Sequence, residues 1–209
     1  EIHITSKEAP DRLLYSLTTD SSGQTEAVEL PTPPLVYSQS EDQPRPYALY
    51  NFTVYAEGYE PLTIEDGEIL PDVLSIQPVA LTPLRFGRGT ENIIIPPHTL
   101  YGNYPAKIPE TEVKPIAETG EIVLSRVVIP EYVIVHDGTP NDRTAPDYYV
   151  PYKDYIKNVV SSEIYATWPE SAIYANTFAI MSFTLNRVYT EWYRNRGYSF
   201  TITSSTAYD

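Results

Sequence analysis

The chain has no cysteine, and its three histidines, His3, His98 and His136, lie far apart with no partner at metal-ligand spacing. A thiol nucleophile, a thiolate metal site and a histidine cluster are therefore outside its chemistry. No Gly-rich phosphate loop or nucleophile elbow takes their place; Gly87-Arg88-Gly89 reads only as a joint. What remains is carboxylate chemistry, for which glycosidic bond cleavage is the leading case, and it needs no metal or cofactor. Most of the 28 Asp and Glu residues are scattered through polar loops, where solvation is role enough. Glu163 differs, because it closes an amphipathic run and is followed by Ile164, Tyr165 and Trp168. A carboxyl packed against such groups has its neutral form favoured, which suits a general acid. The rings of Tyr165 and Trp168 offer flat surfaces to sugars. The same residue types also fit a surface glutamate at a helix end, and composition does not separate the two.

The elements that must position Glu163 lie between Tyr149 and Asp209. Tyr155, Ile156, Val159 and Val160 form one stripe of a short helix ending near Glu163. Trp168-Pro169 breaks it and opens a second helix, with Pro169 suited to the first turn. Apolar residues then recur from Ile173 through Phe178, Ile180, Leu185 and Val188 to Trp192 and Tyr193, and Gly197 is the natural stop after Arg194 and Arg196. Tyr198 to Thr203 alternates as a strand. No proline falls between Glu170 and Asp209, although the chain has 20, so a helical back follows an irregular, β-rich front.

In that front, residues 1–83, Ile2 alternates with Ile4 and Leu13 with Tyr15 and Leu17; Thr25–Leu30, Tyr50–Ala56, Leu62 to Ile64 and Ile76–Leu81 supply further strands. Turn signals between them predict a small antiparallel β-sandwich. Residues 84–148 read as an extended or β connector, with apolar runs between Gly120 and Val135. Residues 149–209 form the helical segment, so the fold class is α+β. A net charge of −14 argues against nucleic acid or an anionic membrane as partner. No run reaches the ~20 apolar residues of a membrane span. The chain opens on Glu1 within an alternating run and without an initiator Met, so it is expected to be a piece of a longer protein.

Two resemblances sharpen this reading. Tyr50–Glu60, with Val79-Ala80-Leu81-Thr82-Pro83, resembles a transthyretin-like or carboxypeptidase-regulatory domain, which implies a structural or binding module. Val150-Pro151-Tyr152-Lys153-Asp154-Tyr155 through Ser162-Glu163-Ile164, then Trp168-Pro169, resembles the SpoIID/LytB peptidoglycan-hydrolase family. Asp154-Tyr155 matches its D-Y pair, Glu163 the glutamate taken as catalytic, and Trp168-Pro169 its W-P. Ala172, Ala175, Asn176 and Ala179 stand where that family has small residues and Gln. The resemblance implies Glu163 as acid; Tyr165, Trp168 and Asn176 are expected to bind substrate, and Asp154, nine residues before Glu163 and so on another side of the helix, to be structural. Tyr174 and Met181 depart from the pattern, replacing a lysine and an arginine, and the pattern itself runs on past Asp209.

Pro97–Pro105, Val135–Pro140, Ser162–Glu170 and Leu185–Tyr193 are similar to SleC-like spore cortex-lytic enzymes. That likeness implies a lytic transglycosylase of cortex peptidoglycan acting at germination, activated by a protease, and placed outside the cytoplasm, in spore cortex or coat or secreted. The rival expectation is a non-catalytic peptidoglycan-binding or inhibitory pro-region.

Overall fold

A computed structural model describes residues 1–84, 90–100, 106 and 128–209. The expected joint at Gly87–Gly89 and the apolar run from Gly120 to Arg126 lie outside the described residues. The chain divides into two compact units. One comprises Glu1–Thr99 with Ala166–Trp168, the other Leu100–Tyr165 with Pro169–Asp209.

The first unit is built on a five-stranded sheet in the order β2-β1-β3-β4-β5. Its strands are β1 (Ile2–Ser6), β2 (Ala9–Leu17), β3 (Ala48–Val54), β4 (Leu62–Ile69) and β5 (Glu91–Ile94). Neighbours pair antiparallel except β4 with β5, which run parallel. Ile4, Leu17 and Tyr50 form the buried centre, as the alternation in β1 and β2 requires. At Gly67 a Cβ would stand 2.5 Å from Phe52 Cε2, so any side chain there would push the Phe52 ring aside.

One described sheet stands where two facing sheets were expected, because two expected strands make no ladder. Thr25–Leu30 runs without β-pairing. Val28 and Leu30 still pack on the core, and the segment is pinned by the Tyr15 hydroxyl donating to Glu29 O and the Tyr50 hydroxyl donating to Pro31 O. Pro31, Pro33 and Pro34 remove the donors a strand continuing there would need. Ile76–Leu81 is likewise unpaired, with Ile76 79% exposed, and the pairing that follows is a lone bridge between Tyr59 and Pro83.

Within the same unit, Leu35–Gln39 forms a 3-10 turn whose Ser38 is fully buried. Ser38 Oγ accepts from Thr167 Oγ1 at 2.7 Å, and its carbonyl accepts from the Trp168 indole N–H at 2.8 Å.

The second unit has a three-stranded sheet, β7-β6-β8, comprising β6 (Tyr132–His136), β7 (Asp147–Pro151) and β8 (Ile202–Thr203). Its described residues also form helices α1 (Tyr152–Glu163) and α2 (Glu170–Tyr189). The two faces of β6 explain the layering. Val133 and Val135 point to the helices, joining Tyr152, Ile156 and Ile180 in one cluster. Ile134 points the other way, into Trp192, Tyr193 and Phe200. His136 is buried on β6, with Nδ1 2.7 Å from Asp147 Oδ1 and its ring stacked on Phe200.

Helix α2 stops at Tyr189, earlier than its apolar pattern suggests. Glu191 takes a left-handed φ of 48°, which turns Trp192 and Tyr193 away from the helical cluster and onto the other side of the sheet. Gly197, at φ 86°, closes the short 3-10 turn Arg194–Arg196 instead. Of the expected strand Tyr198–Thr203, only Ile202–Thr203 pairs as a ladder.

Candidate active site

Pro151 precedes α1 and Pro169 precedes α2, each with its fixed φ at the helix entrance. Helix α1 ends when Ile164 turns extended, which leaves Glu163 as the last helical residue, exposed to solvent. A carboxylate there meets the negative end of the helix dipole, a placement that stability alone disfavours. Glu163 is thus not enclosed by apolar groups as its sequence neighbours had implied: Ile164 and Tyr165 turn into the interior and it does not.

Asn176, two turns into α2, brings its amide to this carboxylate, with Nδ2 donating to Glu163 Oε2 at 3.0 Å. The amide oxygen of Asn176 is buried and accepts no hydrogen bond from the described residues. Oε2 is therefore held, while Oε1 accepts from no described side chain.

The other residues singled out from the sequence do not converge on this pair. Tyr165 is only 2% exposed, and its hydroxyl accepts from Leu100 N, so its ring is not available as a sugar platform. Trp168 belongs to the first unit, half-buried, with its indole N–H donated to Ser38. Asp154 sits in the first turn of α1 and pairs with Lys157 at 3.6 Å, both exposed. Glu170, in the first turn of α2, accepts from the Tyr174 hydroxyl at 2.5 Å. Met181, where the resembled pattern has arginine, packs against the helical core.

Sequence reasoning missed a second polar cluster. Asp209 Oδ1 accepts from Arg187 Nε at 3.0 Å, and both side chains are at most 6% exposed. Oδ2 accepts from the Tyr193 hydroxyl and from Thr203 through both its N–H and Oγ1. Arg187 also lies 4.0 Å over the Trp192 ring, a cation–π contact. Tyr155 stands between the two clusters electrostatically. Burial pushes its hydroxyl up to about 12, opposed by the Thr184 hydroxyl and reinforced by Asp209 and Glu163. Spacing could not have revealed the Arg187–Asp209 pair, 22 residues apart. The signal available was a lone arginine inside an apolar helix.

Among the described residues, no group of three or more His, Asp or Glu side chains could hold a metal ion, and no helix is long and apolar enough to cross a membrane.

Residues 142–209 match the SpoIID family model, described as Stage II sporulation protein. No curated protein and no solved structure matches the chain. The match covers α1, α2, both polar clusters and β7 and β8, and it supports the SpoIID/LytB resemblance for this part of the molecule. With it comes support for a sporulation-related, peptidoglycan-associated function, since the SpoIID family is associated with peptidoglycan hydrolysis.

Proposed function

We propose that the protein cleaves the glycan strands of spore-cortex peptidoglycan through Glu163, as a SleC-like lytic transglycosylase acting at germination. The observation that carries this reading is the exposed Glu163 carboxylate, one oxygen held by Asn176, inside the segment matched to SpoIID. In the proposed reaction the protonated carboxyl gives its proton to the glycosidic oxygen as the bond from muramic C1 breaks. The resulting carboxylate takes the proton of the muramic C6 hydroxyl, whose oxygen closes on C1. The product is a 1,6-anhydro end, Glu163 is restored, and no water is consumed.

Such a cycle needs one carboxyl. A two-carboxylate hydrolysis needs a second acid across the bond, and the nearest candidates in sequence, Asp154 and Glu170, are engaged with Lys157 and Tyr174. The reading also places the protein outside the cytoplasm, in spore cortex or coat, as a precursor opened by a protease.

The test is mass spectrometry of muropeptides released from cortex sacculi. Anhydro ends, lighter by one water than reducing ends, are expected from the wild type and absent with Glu163→Gln. Reducing ends would replace the lytic scheme with hydrolysis. A second reading, a non-catalytic binding or inhibitory module, draws on Tyr174 and Met181 standing where the resembled family has lysine and arginine. It expects sacculus pull-down without products, unaffected by Glu163→Gln.

A further inference from the structure

Asn176 is an odd residue to keep for stability. It lies half-buried on the side of α2 turned toward α1, and its amide oxygen is buried and accepts no hydrogen bond among the described residues. A buried acceptor left without a donor is a net cost to the fold. An apolar side chain of similar size would remove that cost. The amide's one hydrogen bond among the described residues is the 3.0 Å contact from Nδ2 to Glu163 Oε2. Met181 and Ile180, further along the same helix, pack apolar groups into the interior, so the local environment tolerates them.

The orientation is chemically forced. Turned the other way, the amide would set its oxygen against a carboxylate oxygen, two acceptors facing each other. Held as it is, it satisfies one lone-pair region of Oε2 and stops the carboxylate rotating on the long, exposed side chain of Glu163. The amide oxygen is buried and so cannot reach a substrate.

We infer that Asn176 is a positioning residue rather than a substrate-binding one: it clamps Oε2 of Glu163 and thereby selects Oε1 as the oxygen that exchanges the proton with the glycan. This rests on the proposed role of Glu163. It assigns the two carboxylate oxygens different work and accounts for the orphaned amide oxygen as the stability given up for that orientation.

The test is Asn176→Leu, near-isosteric and without the amide, measured on solubilised sacculus fragments beside wild type and Glu163→Gln. Expected are a kcat lower by on the order of 10²-fold, from loss of alignment, an unchanged KM, and a melting temperature unchanged or raised. Asn176→Gln, which keeps the donor on a longer stem, should recover part of kcat. A raised KM with intact kcat would make Asn176 a substrate ligand and overturn the inference. So would a lowered melting temperature with activity lost only in step with unfolding, or no change at all. Should the leucine variant not fold, Asn176→Ala carries the same readouts.

The two proposals fail separately. Full activity in Glu163→Gln removes the proposed function, whereas a dead Glu163→Gln beside a fully active Asn176→Leu removes the clamp alone. A readout independent of activity is the side-chain amide of Asn176 by NMR. The Nδ2 proton bonded to Glu163 should lie downfield and move upfield on Glu163→Ala; amide signals indifferent to that substitution would contradict the clamp.

Discussion

The two ends of helix α2 each meet a carboxylate, and they treat it in opposite ways. Near the start, Asn176 gives Glu163 a single hydrogen bond and leaves the group in solvent. In the last turn, Arg187 meets an Asp209 whose side chain is 4% exposed and surrounded by Tyr193 and Thr203 donors. A carboxylate with its lone pairs filled and no access to water is a structural part. One held at a single oxygen and open on the other has the freedom that proton exchange requires. Burial, followed by Asp209 itself, pushes the Tyr193 hydroxyl up, so it remains a phenol donor to that cluster at any ordinary pH. The buried end fixes α2 against β8, and the exposed end uses the helix so fixed.

This contrast can be broken most sharply at its buried end. Arg187→Met leaves Asp209 desolvated and without its cation, and should cost about 3–5 kcal/mol in urea unfolding, with any activity lost only as the protein unfolds. A cost below 1 kcal/mol would show the pair to be no more than a surface contact. Tyr193→Phe removes one donor to the same carboxylate and should cost about 1.5–3 kcal/mol, again by denaturant melt.

Stability against pH gives the next test. The Tyr155 hydroxyl is raised from its ordinary 10.0 to about 12 by burial, so the folded chain holds this proton better than the unfolded one. Its contribution is complete below pH 10 and is lost as pH climbs from there toward 12. Tyr155→Phe should flatten that part of the decline, and an unaltered decline would remove Tyr155 from the account. The smallest effect belongs to Asp154→Ala. That residue pairs in the open with Lys157, so stability should change by no more than about 0.5 kcal/mol and activity not at all.

The parts of this arrangement legible in the sequence are those set by local periodicity. The stripe Tyr155, Ile156, Val159, Val160 gives α1, and Trp168-Pro169 gives the start of α2. Alternation in Ile2–Ile4 and Tyr50–Val54 gives β1 and β3. Long-range partners were not legible. Trp168 reads as a sugar platform until Ser38, 130 residues away, takes its indole N–H. Tyr165 reads the same way until the turn at Ile164 sends it inward. Apolar content alone drew Ile76–Leu81 as a strand, although Pro78 and the exposed side chains there leave no edge to pair. Glu163 is picked out by residue type and position, and Asn176 by the family resemblance. The bond between them, and the different work it gives Asn176, comes only from the way α1 and α2 meet.

The most direct test of the contrast is sacculus digestion by Glu163→Gln at wild-type folded fraction, followed as soluble muropeptides. The amide cannot give up a proton as a carboxyl does, so release should fall by on the order of 10²–10⁴-fold with an unchanged melting temperature. Release at the wild-type rate from a folded Glu163→Gln would contradict the central claim that the exposed carboxylate at the end of α1 does the chemistry.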